Sequence, residues 1–415
     1  MPFRIALSGL NAASGDLKVT GNNIANAGTT GFKTSRAEFV DVFAVGYGGI
    51  SSTAIGGGTR LAAVSQQFSQ GNVDFTDNNL DVAINGLGFF VLDDAGTRVF
   101  SRAGAFKSDR DGYIVNNTGQ RLQVFPPVTT ATGIQFDTGT LNDLQLSTGA
   151  GSPKATDTMI SLLNLDATET VPAVAFNPLD PTTYNSSTSL TVYDSLGASH
   201  AATQYFVKTA VPNTWSSYLY VDGVMVPGSP ATLGFTNQGI LDPLASSGAG
   251  GIVPFAATTN ISAATGAAEI TLSIDYSDVT QYGSPFSVSA LQQNGYATGR
   301  LSGIDIDAEG IVTARYTNGQ SQTLGKIALA NVANPQGLSP LGDTLWGETY
   351  GAGDLILGEA GTSNFGLMQS GALEASNVDI AAQLVNLITA QRNFQASSQV
   401  ISTADAVTQT IINIR

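Results

Sequence analysis

Apolar residues recur at alternating spacings of four and three at both ends of this chain. Near the start, Phe3, Leu7, Leu10, Ser14, Leu17, Gly21 and Ile24 keep that rhythm. Near the finish, Ile380, Leu384, Leu387, Gln391, Phe394, Ser398, Ile401, Asp405, Thr408 and Ile412 repeat it. This is a heptad seam, which a helix buries against another helix. Asn377 is placed to cap the second segment, with Asp379 in a first turn where the helix dipole favours negative charge. A helix over 377–413 is roughly 55 Å long at 1.5 Å per residue, too long for an ordinary compact domain. Ser14, Gly21, Gln391, Ser398 and Asp405 weaken the seams. Two readings follow: a terminal helix hairpin packed on its own domain, or ends that pack against copies of themselves in an assembly.

Composition removes whole classes of function. The chain of 415 residues has 17 Lys+Arg against 32 Asp+Glu, a net charge of −15, and its basic residues do not cluster. A nucleic-acid footprint needs a basic face to displace counterions from phosphate, and an anionic membrane surface needs the same. With no cysteine and the single histidine His200, disulfide frameworks, thiolate chemistry and two-histidine metal motifs are excluded. No run of about 18 apolar residues suggests a membrane span, and Arg4, Asn11 and Asp16 break any signal-peptide pattern at the start. If the protein leaves the cytoplasm, no cleaved signal is expected.

From about 74 to 365, short β-branched and aromatic runs separated by Gly, Asn and Asp turns predict strands. Ser108-Asp109-Arg110-Asp111-Gly112-Tyr113-Ile114-Val115 parallels Ile306-Asp307-Ala308-Glu309-Gly310-Ile311-Val312, each turning the chain into a strand. The run from Asp305 to Gly310 mimics the start of a calcium loop, but its twelfth position is Tyr316 instead of the bidentate Glu. The glycine-rich stretch from Gly46 to Gly58 precedes Thr59-Arg60-Leu61 and not Lys-Ser/Thr, so it reads as a spacer or contact loop and not a phosphate cradle. His200 has Asp194 and Ser195 near it in sequence, but a strand-turn-strand is expected to turn them away from it. No catalytic, cofactor-binding or metal-binding residue is expected.

The predicted fold is therefore mainly β, with nested β-rich domains in the middle and long coiled-coil-like helical segments at the N- and C-termini, paired in an assembly core. The expected organisation is terminal helical core segments at 1–26 and 377–415. Extended linker or loop follows at 27–73 and 366–376, an inner β domain at 74–145 and 285–365, and an inserted outer β domain at 146–284. The insert is low in charge and rich in Thr, Ser, Ala and Pro. The residues expected to pack subunits together are Phe3, Leu7, Leu10, Leu17, Ile24, Ile380, Leu384, Leu387, Phe394, Ile401 and Ile412.

Five segments resemble the bacterial flagellar rod and hook proteins, in that family's order: Leu7-Ser8-Gly9-Leu10-Asn11-Ala12-Ala13 continuing through Gly21-Asn22-Asn23-Ile24-Ala25-Asn26-Ala27 and Thr30-Gly31-Phe32-Lys33; Leu80-Asp81-Val82-Ala83-Ile84-Asn85-Gly86-Leu87-Gly88-Phe89-Phe90; Phe100-Ser101-Arg102-Ala103-Gly104-Ala105-Phe106-Lys107; Ala372-Leu373-Glu374-Ala375-Ser376-Asn377-Val378-Asp379; and Ala390-Gln391-Arg392-Asn393-Phe394-Gln395. The middle, including Thr191-Val192-Tyr193-Asp194-Ser195-Leu196-Gly197 and Asn294-Gly295-Tyr296-Ala297-Thr298-Gly299, is similar to the hook members. The resemblance implies a non-enzymatic subunit that polymerises with itself into a curved tube carrying torque from rod to filament. It implies a place in the hook, outside the cell. It also implies export by the flagellar type III apparatus and neighbours in the distal rod protein, the hook cap and the hook–filament junction proteins, with no nucleic acid, membrane insertion or cofactor. A distal rod-type axial protein, or a secreted β-rich enzyme or adhesin, are the alternatives.

Overall fold

A computed structural model describes residues 2–43, 56–130, 133–146, 151–256, 266–362 and 364–413. Strands are the commonest regular structure of the described chain, with helix α1 (Pro2–Ala25) at one end and helix α2 (Ile380–Asn413) at the other. The 34 residues of α2 extend about 51 Å. Its cap is Asp379, whose Oδ1 accepts from the N–H groups of Ala381 (2.9 Å) and Ala382 (3.1 Å). Asn377, the cap expected from sequence, is engaged elsewhere. It accepts from Thr34 N–H at 2.7 Å and donates to the carbonyls of Gln67 and Ser69. The helix accordingly starts at Ile380 and not at 377.

Two compact units are present. The first comprises Met1–Thr148, Gly303–Arg315 and Ser321–Arg415; the second comprises Gly149–Ser302 and Tyr316–Gln320.

In the first unit, strands β1 (Ser35–Asp41) and β2 (Thr59–Gln66) form an antiparallel hairpin that packs on α1. Most of the glycine-rich stretch between them, including Gly46–Gly49, lies outside the described residues. The body of the unit is a large sheet threaded by the strand Ser321–Val332. This strand pairs antiparallel with Ile311–Tyr316, Leu355–Glu359, Phe89–Asp94 and Arg121–Phe125. Phe89, Val91, Phe100, Phe125, Ala330 and Trp346 fill one side of it. The two parallel turn segments are built alike. Asp109 Oδ1 accepts from the N–H groups of Asp111 and Tyr113, and Asp307 Oδ1 accepts from those of Glu309 and Ile311. Gly112 and Gly310 follow with φ of 86° and 81°, where a side chain is strained. The second carboxylate of the calcium-like run, Asp307, thus closes a turn, and the one that opens the run, Asp305, pairs with Arg315 at 2.6 Å.

The second unit is a β-sandwich. One sheet is the antiparallel meander Ser186–Tyr193, Ser199–Lys208 and Thr214–Val221, with two short strands added. The other is organised around Thr158–Asp166, which pairs parallel with Ser273–Asp275 and Thr280–Tyr282 and antiparallel with Ser287–Gln293. Burial alternates strictly along Thr214–Val221, the period-two signature of a strand with one face inward. Trp215, Phe206 and Leu219 from one sheet meet Met159, Leu165 and Tyr276 from the other. The buried polar tips are satisfied: Trp215 Nε1 donates to Gln281 at 3.3 Å, and Ser217 Oγ lies 2.9 Å from Tyr276 Oη.

Candidate assembly interface

Helices α1 and α2 pack together. Asn23 Nδ2 donates to Gln383 Oε1 at 3.3 Å, and a Cβ on Gly9 would sit 3.0 Å from Ser397 Oγ. Contacts that advance along one helix therefore retreat along the other, and the pair is antiparallel. On α2 the least exposed positions are Gln383, Leu387, Ala390, Phe394, Ser397, Ile401 and Ala404; on α1 they include Ala6, Leu10, Ala13, Leu17, Thr20 and Ile24. Both lines keep the four–three rhythm. Leu10, Leu17, Ile24, Leu387, Phe394 and Ile401 lie on them, half-buried, as the sequence seam has it. The intervening positions are shifted by one residue to Ala6, Ala13 and Thr20 on α1 and to Ala390, Ser397 and Ala404 on α2. Small side chains there let the helix axes approach closely. Gly21, Gln391, Ser398 and Asp405, which read as defects in the seam, are exposed and off this line.

Apolar residues on both helices nonetheless face outward. Phe3, Leu7, Ile380, Leu384 and Ile412 are exposed, together with Val385, Ile388, Val400 and Val407, which the seam did not include. The hairpin exposes Phe39, Val40, Leu61 and Val64. Side-chain hydrogen bonds hold α1 and the hairpin in register. Asn23, 1% exposed, accepts from Ser35 N–H at 2.9 Å and donates to Ser35 O at 2.7 Å. Ser8 Oγ accepts from Thr59 N–H at 3.2 Å. Asp16 lies half-buried on α1, and burial pushes its carboxyl up from the ordinary aspartate range.

His200 is placed differently from expectation. Its Nδ1 lies 2.6 Å from Asp222 Oδ2 and its Nε2 3.4 Å from Asp194 Oδ2. Asp194 does face the ring, because its Oδ1 accepts from the N–H groups of Leu196 and Ala198 and so folds the turn back over it. Burial pulls the imidazole down, but hydrogen bonds to Asp222 and Asp194, with their charge, outweigh it and raise its pKa. A ring held between two carboxylates, which favour its protonated form, is a structural clamp and a poor general base. Ser195 Oγ is occupied as acceptor for Ala268 N–H at 2.8 Å.

Known families match along the chain. The flagella basal body rod protein family matches residues 3–33, the flagellar hook protein FlgE/F/G D1 domain 83–152, the flagellar basal body protein FlaE D2 domain 164–296, and the flagellar basal body rod FlgEFG protein C-terminal family 369–414. The chain is 39% identical to the flagellar hook protein FlgE of Salmonella typhimurium across all of both chains, and equally so to that of Escherichia coli K12. Identity to the hook protein of Borreliella burgdorferi is 32%, over 99% of this chain and 98% of that one. The crystal structure of Helicobacter pylori flagellar hook protein FlgE2 superimposes with a TM-score of 0.53 at 14% identity, over 73% of this chain and 100% of the other, a likeness of fold alone. Full-length hook relatives decide against the distal-rod and the enzyme or adhesin alternatives. The chain belongs to the flagellar hook protein FlgE family: it is a structural, self-polymerising subunit of the hook, in the extracellular part of the flagellum, and not an enzyme.

Proposed function

We propose that subunits join through the uncovered faces of α1 and α2, forming the core of a flexible, curved helical tube that carries motor torque from rod to filament. The observation that carries this reading is the line of exposed apolar residues on two helices that are already paired: Phe3, Leu7, Ile380, Leu384 and Ile412. Apolar surface of that extent needs cover, and a heptad-patterned partner helix supplies it. Leu10, Leu17, Ile24, Leu387, Phe394 and Ile401 support the same core from within each subunit. With charged residues at 12%, few ion pairs lock one register, which suits surfaces that slide as the tube bends.

Family resemblance supports the distal rod protein, the hook cap and the hook–filament junction proteins as neighbours, and the flagellar type III apparatus as the export route. The inserted stretch 146–284 is the shape-setting module of this reading. Electron micrographs of the purified chain under polymerising conditions test it. Curved tubes are expected. Straight, unsupercoiled tubes would refute the bending role, and the absence of any polymer would refute the interface.

A further inference from the structure

The helix pair and its hairpin connect to the sheet of the first unit by only two stretches of backbone: the exit from β2 near 67–75 and the approach to α2 near 372–379. These two stretches are bonded to each other, with Val73 opposite Glu374 and Phe75 opposite Ala372. Glu374, fully buried, stands at the crossing. Its Oε1 accepts from Lys33 Nζ at 2.7 Å and from Gly71 N–H at 2.9 Å, its Oε2 from Arg102 Nη1 at 3.3 Å, and its carbonyl from Gly31 N–H at 2.8 Å. Lys33 also donates to Ser69 O at 2.8 Å, and Arg102 Nη2 to Gly86 O at 2.7 Å. One carboxylate thereby ties the α1 exit, the hairpin return, two sheet segments and the entry to α2.

The backbones are pressed together at the same point. A Cβ on Gly71 would sit 2.0 Å from Ala375 O, and one on Gly31, at φ 70°, would sit 2.5 Å from Ala103 N. Apolar packing has no preferred direction and slides at small cost, whereas charge-assisted hydrogen bonds fix both distance and angle. Two cations share one carboxylate, and Arg102 Nε has no hydrogen-bond partner among the described residues. Such an arrangement is a poor choice for stability and a good one for holding a register.

We propose that Glu374, with Lys33 and Arg102, is the rigid joint that couples the helix pair to the sheet, through which load passes between them in the assembled hook. This rests on the hook reading only for what the load is; the coupling itself is a property of the single chain.

The test is amide hydrogen exchange on full-length Glu374→Gln. This variant keeps the volume but leaves both cations without a counter-charge. Exchange in 31–34, 69–71 and 374–379 is expected to rise at least about tenfold, while the strand Phe89–Asp94 and the middle of α2 keep wild-type rates. The double variant Lys33→Met/Glu374→Leu removes the ion pair without stranding Lys33 and is expected to show the same pattern. Exchange that rises uniformly through the unit, no rise at those three segments, or failure of both variants to fold would each reduce the cluster to ordinary core and overturn the joint. Tube formation, scored separately on the same variants, reports on the hook reading; tubes of Glu374→Gln that bend no more easily than wild type would also overturn it.

Discussion

Leu384→Asp tests the proposed interface most sharply. Leu384 is 46% exposed on α2, off the line that meets α1. Full burial of a leucine side chain is worth about 1.5–3 kcal/mol, so with about half its surface uncovered, about 0.7–1.5 kcal/mol remains for a neighbouring subunit to supply. Aspartate forfeits that and places a carboxylate in an apolar contact, where desolvation costs several kcal/mol. A combined loss of about 3 kcal/mol raises the critical concentration for polymerisation about 100-fold, at a decade per 1.4 kcal/mol. Within the subunit the change is small: a helix-propensity difference of about 0.5 kcal/mol and the loss of partial packing. The assay is sedimentation of polymer against total concentration, with circular dichroism of the soluble chain to show that it is folded. A folded variant that pellets at the wild-type concentration would refute the reasoning, because Leu384 would then be uncovered in the polymer too.

Asp16→Asn is expected to tighten the helix pair, since burial disfavours the charged carboxylate; slower amide exchange in α1 checks it, and faster exchange counts against it. Removing 379–415 is expected to leave the strand-rich remainder folded and soluble but unable to polymerise. The apolar faces that the pair leaves uncovered are expected to be covered on assembly, so exchange protection of 3–24 and 380–412 is expected to rise from subunit to polymer, and equal protection in both would contradict that. Trp215→Ala, at a fully buried site in the sandwich, is expected to cost about 3–5 kcal/mol and to lower the melting of that unit while exchange in the strand Phe89–Asp94 stays unchanged. The His200 clamp stabilises the sandwich fully below about pH 6.5, the unfolded value, and fades as pH rises through the raised folded value. Asp194 and Asp222, held below the usual range, lose their contribution as pH falls through their folded values. His200→Gln should therefore flatten the decline in sandwich stability that thermal melts are expected to show as pH rises from about 6.5, with motility near normal; an unaltered pH profile would show that the clamp contributes nothing. Replacing 149–302 by a short Gly/Ser bridge is expected to leave tubes of altered curvature. Gly151 N–H donates to Gly299 O at 2.7 Å, so the cut ends are close.

The periodicities determined most of the fold. A four–three rhythm at each end and alternating β-branched runs between them specify helices at the ends and sheets in the middle, because each pattern buries a continuous apolar face in only one secondary structure. The half of each seam formed by Leu10, Leu17, Ile24, Leu387, Phe394 and Ile401 was legible for the same reason. Which small residues complete the contact was not. Alanine and serine carry almost no hydrophobic signal, and only close antiparallel packing makes Ala13, Ala390 and Ser397 the better partners. Composition marked a change of character over 146–284, whereas the compact unit runs over 149–302 and takes in 316–320. Strand pairing, such as that of Ser287–Gln293 with Thr158–Asp166, sets the contact boundary, and pairing between distant segments leaves no mark on local composition. The His200 clamp and the Glu374 crossing were also decided in three dimensions. Asp222 lies 22 positions from His200 and Glu374 lies 341 from Lys33. A buried charge is recognisable only by the partners that fold brings to it, and one sequence does not state which distant residues those are.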